Sequence, residues 1–418
     1  MRILLYSYNY YPEPIGIAPL MTELAEGLVK RGHQVQVITG MPNYPERRIY
    51  PEYQGKLYLT EVINGVAVRR SYVWVRPQPS LLDRVLLDGS FVLTSLLHAL
   101  KGRRPDLILY TAPPLPVAVP SAFLGWWHRC PVVMNLQDIL PDAAVHVGIL
   151  TNPKLITIFK ALEKFAYHTS HKITVLADGF IDNLISKNVP SEKIIKIPNW
   201  VDINFIKPKP KEDNNFRRQH QLQDKFVVLY SGNIALTQGL ETVVKAANSL
   251  GHLTDIMFVI VGEEKAINKL KKLCHKNGTD NVLLLPFQPR ENLPDMLSAA
   301  DVGLVVQKHN VISFNMPSKI QVLLASGRPI IASVPESGTA AKAVRASGGG
   351  IVVPPESPEN LADAIKDLYF HREKLEALGR QSRQYAIDNY TLEKALDRYE
   401  ELFETLVKQR RYSYVTEV

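Results

Sequence analysis

Within its first forty residues the chain runs through an apolar strand, an amphipathic helix and a second apolar strand, and that order constrains the fold more than any other feature. RILLYSYN (residues 2–9) reads as the first strand, and Leu20, Leu24 and Leu28, four apart, lay one apolar stripe along the helix that follows. Arg31 and Gly32 stop that helix, the cation suiting its C-terminal dipole and the glycine a left-handed cap. VQVIT (35–39) is the next strand. Two strands joined through a helix lie parallel, so the pattern predicts an α/β fold with crossover helices. Apolar runs at 106–111, 131–138, 172–177 and 193–198 extend it.

From Asn199 to Lys225 the apolar periodicity stops and proline, asparagine and charge gather, which marks an interdomain connection. A second strand series then begins, at 225–232, 256–262, 281–287, 302–306, 329–334 and 350–355. The expectation is two Rossmann-like, doubly wound domains, 1–205 and 206–390, facing an interdomain cleft with the strand C-terminal edges turned toward it, where such sheets bind ligands. A closing segment, 391–418, carries the helix LEKALDRYEELFETLV (392–407), which is expected to return to the first domain.

Composition narrows the function classes. With 46% hydrophobic and 22% charged residues the chain is neither disordered nor collagenous. Cys130 and Cys274, far apart and without a C-x-x-C partner, build neither a disulfide framework nor a cysteine zinc site, and the eleven histidines show no H-E-x-x-H spacing, so no metal and no cofactor is expected. An excess of 49 Lys and Arg over 41 Asp and Glu points to an anionic partner. That charge is spread and no aromatic-basic motif accompanies it, which argues against nucleic acid. The N-terminus lacks the apolar core of a signal peptide, and a reducing cytoplasm is the expected compartment. Leu81 to Leu100 is the greasiest window, but Asp83, Arg84, Asp88 and His98 interrupt it too heavily for a membrane span. The stretch from Leu81 ends in Lys101, Arg103 and Arg104, and Trp126-Trp127-His128-Arg129 lies nearby in sequence. Two readings stand for this region: a peripheral face for an anionic membrane, or a buried helix with a solvated basic end.

The chain carries Y-P-E-P-I-G-I-A (11–18), N-L-Q-D-I-L-P-D (135–142), I-P-N-W-V-D (197–202), Y-S-G-N-I-A-L-T-Q-G-L-E (230–241) and P-S-K-I-Q-V-L-L-A-S-G-R-P-I-I (317–331). By the order and spacing of these stretches it resembles, over nearly its whole length, the retaining GT-B glycosyltransferases of family four, and within them the exopolysaccharide and colanic acid biosynthesis type. The resemblance implies a metal-independent hexosyltransferase that uses a nucleotide-sugar and a lipid-linked saccharide acceptor, the first domain holding acceptor and the second holding donor.

Gly16 lies between the first strand and helix, where a missing Cβ and unpaired helix N–H groups admit an anion. The resemblance implies that this loop borders the donor phosphates; a plain turn is the alternative. Gly232 and Gly239 bracket a second strand-loop-helix cradle, with Leu240, Val243, Val244 and Ala247 forming the helix stripe. The resembled family commonly has Arg and Lys in this loop, where the chain has Asn233 and Gln238. Ser318 and Lys319 open a further helix, and Lys319 is the cation expected to stabilise a leaving diphosphate. Two family glutamates correspond here to Phe314 and Val322. Asp138 ends a strand and is the candidate acid or base, with N-capping as its alternative. Gln137 stands where the family often has His, an amide that can hold a sugar hydroxyl but not titrate. Asn43 is expected either to touch acceptor or to stabilise its loop. Two other functions fit the architecture. A nucleotide-sugar 2-epimerase needs His or Glu that the matching positions lack, and a non-catalytic binding partner would account for the missing charged residues.

Overall fold

The computed structural model describes residues 1–418 except Ile15, Val147, Ile149, Glu212, Leu236, Glu417 and Val418, and describes no side chain at Leu81 or at 411–416. Ile15 and Leu236 of the motifs quoted above, and the last two residues of the 391–418 segment, therefore lie outside the described residues. The chain divides into two compact units, Met1–Asn199 with Leu392–Val418, and Trp200–Thr391.

The first unit is built on eight strands: β1 (Arg2–Tyr6), β2 (Gln34–Gly40), β3 (Tyr58–Ile63), β4 (Val66–Ser71), β5 (Leu107–Ala112), β6 (Val132–Leu136), β7 (Lys172–Val175) and β8 (Ile194–Lys196). Their order is β3-β4-β2-β1-β5-β6-β7-β8, and every pairing is parallel except β3 with β4. Every residue of β5 and β6 is buried, as expected for strands covered on both faces. The direction of the crossovers reverses at β1, so the Ala18–Lys30 helix lies on one face of the sheet while the crossovers through Leu81–Ala99, Ala118–His128 and Pro153–Thr169 lie on the other. The long Leu392–Thr416 helix packs on the Ala18–Lys30 side. There Arg31 pairs with Asp397 at 2.8 Å and with Glu400, His33 Nε2 meets Glu400 at 2.8 Å, and Leu396 fills the space above Gly27. Tyr399 and Phe403 of that helix are fully buried.

The second unit has six parallel strands: β9 (Phe226–Ser231), β10 (Ile256–Gly262), β11 (Val282–Pro286), β12 (Val302–Val306), β13 (Ile330–Ser333) and β14 (Gly350–Val353). Their order, β11-β10-β9-β12-β13-β14, is that of a doubly wound sheet, with the switch point between β9 and β12. Side chains alternate across it: Phe226, Val228 and Tyr230 enter one core with Leu240, Val243, Val244 and Ala247, while Val227 and Leu229 enter the other with Ile320, Leu323 and Leu324. Asp301, buried just before β12, accepts from Val227 N–H at 2.8 Å and from Arg217 at 2.7 Å and also pairs with Lys211.

Two parts of the sequence reading are corrected. No strand was expected between residues 40 and 105, yet β3 and β4 form an antiparallel hairpin whose turn, Asn64-Gly65, has both residues at positive φ (49° and 85°). The stretch 199–225 is not a free connection and the expected boundary at 205 falls too late. Ile206, Phe216 and Leu222 are buried in the second core, Val201 and Phe205 pack against it, and Val201 N–H donates to the Tyr390 carbonyl at 2.9 Å.

Candidate functional site

At the C-terminal end of β9 the chain turns through Gly232 (φ +137°) and reaches Gly239 (φ +62°), which caps the Leu240–Ser249 helix. A side chain at either glycine would meet a lysine: the Cβ position of Gly232 is 3.3 Å from Lys319 Nζ, and that of Gly239 is 3.1 Å from Lys308 Cγ. The glycines thus let the Lys319 ammonium and the aliphatic stem of Lys308 approach the loop backbone. Tyr230, buried at the end of β9, ties the loop by donating its hydroxyl proton to the Asn233 carbonyl at 2.8 Å, and Gln238 Oε1 lies 3.4 Å from the Tyr230 hydroxyl oxygen. Lys308 N–H closes the loop from the β12 side by donating to the Thr237 carbonyl at 2.9 Å.

Lys319 is the unusual group. Its Nζ lies 3.7 Å from the centroid of the Tyr230 ring, is shielded from solvent and has no hydrogen-bond partner among the described residues. Burial pushes the ammonium down to about 7. The cation sits at the switch point of the sheet, between the first turn of the Lys319–Ala325 helix and the end of β9. Ser318, just before that helix, is exposed and makes no capping bond, and Asn233 is exposed as well. The structure therefore brings Gly232, Asn233, Gln238, Gly239, Ser318 and Lys319 to one edge. Sequence reasoning missed Tyr230 and Lys308; the position of Lys308, two residues past the apolar run of β12, was the signal for it. Phe314 is buried and Val322 packs on the second core, so both positions serve packing.

In the first unit, Gly16 (φ +72°) is exposed in the turn before Ala18–Lys30, and apart from its chain neighbours no described residue comes within 4 Å of its Cβ position. Glu13, which the sequence did not single out, is buried and gathers the neighbouring loops. Its carboxylate accepts from Asn43 N–H at 2.8 Å, Tyr44 N–H at 2.9 Å and Asn9 Nδ2 at 2.6 Å. Burial raises its pKa, against the pull of those bonds. Asn43 is itself buried and donates Nδ2 to Tyr8 Oη at 3.1 Å and to the Met41 carbonyl at 2.9 Å, the geometry of a loop brace. Gln137, after β6, exchanges amide hydrogen bonds with Asn199 at 2.8 and 3.2 Å and donates to Asn135 Oδ1 at 2.7 Å. Asp138 Oδ1 accepts from Ile139 N–H at 2.8 Å, and its carboxyl is held above the ordinary range by the protein crowding it. Strands β1 and β5 separate β2 from β6, so Asn43 and Gln137 are spaced by roughly 14 Å along the sheet edge. Among the described residues no group of three or more His, Cys, Asp or Glu is placed to hold a metal ion, and no helix is long and apolar enough to cross a membrane.

Comparison with known proteins gives this geometry a family. Residues 212–385 match the model of glycosyl transferases group 1, and residues 16–200 match the glycosyl transferase 4-like domain. The putative colanic acid biosynthesis glycosyl transferase WcaI of Escherichia coli K12 is 32% identical over 374 residues, 88% of this chain and 91% of that one. The probable glycosyltransferase WbjE of Pseudomonas aeruginosa is 24% identical over 72% of each chain. Among solved structures, Anabaena HepE in complex with UDP superposes with a TM-score of 0.73 at 17% identity, covering 97% of this chain and 100% of that one. WaaG, a glycosyltransferase involved in lipopolysaccharide biosynthesis, does so with a TM-score of 0.65 at 17% identity, covering 94% and 98%.

Proposed function

The chain belongs to the group 1 glycosyltransferases and has their two-domain GT-B fold, and from that premise we propose that it moves a sugar from a nucleotide-sugar to a lipid-linked saccharide, with retention of configuration, during assembly of a surface polysaccharide. The observation that carries this reading is Lys319, buried over the Tyr230 ring with no hydrogen-bond partner among the described residues, beside a glycine loop at a sheet switch point. A protein keeps such a group at a cost in stability, and a diphosphate is the ligand that relieves it. In this reading Lys319 faces the leaving diphosphate and Lys308 supplies the second charge that Asn233 and Gln238 no longer carry. The N–H groups around Gly232 and Gly239 complete the cradle, with Asn233, Gln238 and Ser318 as neutral donors.

On the first unit, Gln137 and Asp138 hold the acceptor, and Asn43 shapes the loop beside it through Glu13. The acceptor hydroxyl oxygen bonds to the sugar's anomeric carbon on the face from which the diphosphate departs. The carbon–oxygen bond to the diphosphate breaks, and the hydroxyl proton passes to a diphosphate oxygen or to Asp138. No step calls on a divalent metal. The site works in the cytoplasm, where nucleotide-sugars are made.

The test is a thermal-shift screen of UDP, GDP and ADP and their sugars, followed by transfer to a lipid-linked acceptor and determination of the product anomer by NMR. At a hundred times its Kd one nucleoside diphosphate should stabilise the protein by about 2.7 kcal/mol. Absence of stabilisation by any of them, or a product of inverted configuration, would overturn the proposal.

A further inference from the structure

The helices Leu81–Ala99, Ala118–His128 and Pro153–Thr169 lie side by side on one face of the first sheet. Their outer surface is not that of an ordinary solvated layer. These three helices hold more than half of the exposed large apolar side chains among the described residues. Leu82, Leu86, Leu93 and Leu97 run as a stripe along the first helix, at 66%, 42%, 68% and 58% exposure. On the second, every exposed residue is apolar, and Phe123, Trp126 and Trp127 form a ring cluster with centroid separations of 5.9, 6.1 and 6.4 Å. The third adds Ile158 and Phe165. A patch of this size on a soluble surface is an interaction site.

Charge decides what it meets. The exposed charged residues of the three helices are Arg84, Lys154, Lys160 and Lys164, all cationic, with His168 beside them. Their carboxylates are withdrawn: Asp83 is tied to Ser80 and Trp74, Asp88 is half-buried, and Glu163 is buried against Tyr167 and Lys187. At the Trp126 end the face borders a cavity of about 740 Å³ lined by Arg129, His168 and His171 among others. Apolar side chains flanked by aromatic rings and lysines, with no exposed acid among the described residues of the three helices, suit the headgroup boundary of an anionic bilayer. A second copy docked face to face would set these cations against their own images, so self-association is disfavoured. We infer that this three-helix face lies on an anionic phospholipid surface, as a peripheral and not a spanning contact. The alternative of a buried Leu81–Ala99 helix does not hold, because its leucine stripe is exposed. The inference is independent of the donor reading and bears on how a lipid-linked acceptor is reached.

The experiment is flotation of the full chain with vesicles of phosphatidylcholine containing phosphatidylglycerol, against pure phosphatidylcholine, at low and high salt. Binding should need phosphatidylglycerol and weaken as salt rises. Two double variants separate the contributions: Leu93→Gln with Leu97→Gln, and Lys160→Glu with Lys164→Glu. Each should reduce vesicle affinity by roughly tenfold or more, with the melting temperature and nucleoside diphosphate binding unchanged. Wild-type protein that ignores anionic vesicles, or variants that bind as wild type, would overturn the inference. So would a dimer that both variants dissociate, which would assign the face to a second copy. Nucleotide binding without vesicle binding would sink this inference alone and leave the transferase reading intact.

Discussion

Replacing Lys319 with methionine is expected to make the protein more stable and a poorer nucleotide binder at the same time. The substitution keeps most of the side chain's length and removes an ammonium that lies 3.7 Å from the Tyr230 ring centroid with no hydrogen-bond partner among the described residues. Folded, the group titrates at about 7; its ordinary value is 10.5. Because the folded pKa is the lower one, the unfolded chain holds the extra proton between these values and stability rises with pH across that window. The penalty is therefore complete below about pH 7 and gone above about 10.5. At roughly 1.4 kcal/mol per pH unit it amounts to something on the order of 3–5 kcal/mol near pH 6. Denaturant unfolding at pH 6 should show Lys319→Met more stable by that order, with the gain shrinking toward pH 10.

Binding supplies the second half of the experiment. At pH 8 the free lysine is about 90% neutral, and a diphosphate beside it restores the charge, so binding should take up close to one proton. Calorimetry in buffers of different ionisation enthalpy measures that uptake, and Lys319→Met should lose it. In the transfer assay kcat/KM should fall by roughly 10² to 10³, the range for losing one preorganised charge. Destabilisation by Lys319→Met at both pH values, or the same proton uptake in variant and wild type, would refute the reasoning.

Gln238→Lys returns a charge to the β9 loop and should tighten nucleoside diphosphate binding severalfold in the same calorimeter; weaker binding would mean that the phosphates do not lie over this loop. Asp301→Asn leaves Arg217 buried beside a neutral amide and should cost about 3–5 kcal/mol, read as a lowered melting temperature; a loss below about 1 kcal/mol would show that Asp301 is not the anchor of the second unit. EDTA should leave the thermal shift given by a nucleoside diphosphate unchanged, and a shift restored only by Mg²⁺ or Mn²⁺ would count against a metal-free site.

The parallel strands were legible because burial on both faces writes them as continuous apolar runs, as in LILYTA of β5 and IMFVIVG of β10. The β3–β4 hairpin was not, since β3 has no fully buried residue and YLTEVI carries a threonine and a glutamate. Its Asn64-Gly65 turn was the readable signal that went unused. The prolines and charges of 199–225 concealed three core residues spaced too widely to make a period. At the candidate site, the glycines and Lys319 stood out because loop-to-helix junctions after strands are few. Tyr230 looked like one more apolar strand residue, and Glu13 showed nothing in the sequence of the loops it would gather. Asn43 and Gln137 could be placed at the right edge but not assigned partners, because the Asn43 backbone N–H is held by Glu13, its side-chain amide by Tyr8, and the Gln137 amide by Asn199, all distant in sequence.

The Leu392–Thr416 helix has a consequence for the order in which the chain is completed during synthesis. Residues 1–199 leave the ribosome before any of the second unit, but their core is finished only by Tyr399, Phe403 and neighbours, made after the whole of that second unit. The intervening 200–391 segment has its whole sheet in hand as soon as it emerges. Until the Leu392–Thr416 helix arrives, the groove over Gly27 and the side chains of Arg31 and His33 stand uncovered. The domain that begins first is the one that finishes last, and a ribosome that stalls before Leu392 releases a finished second domain attached to an open first one.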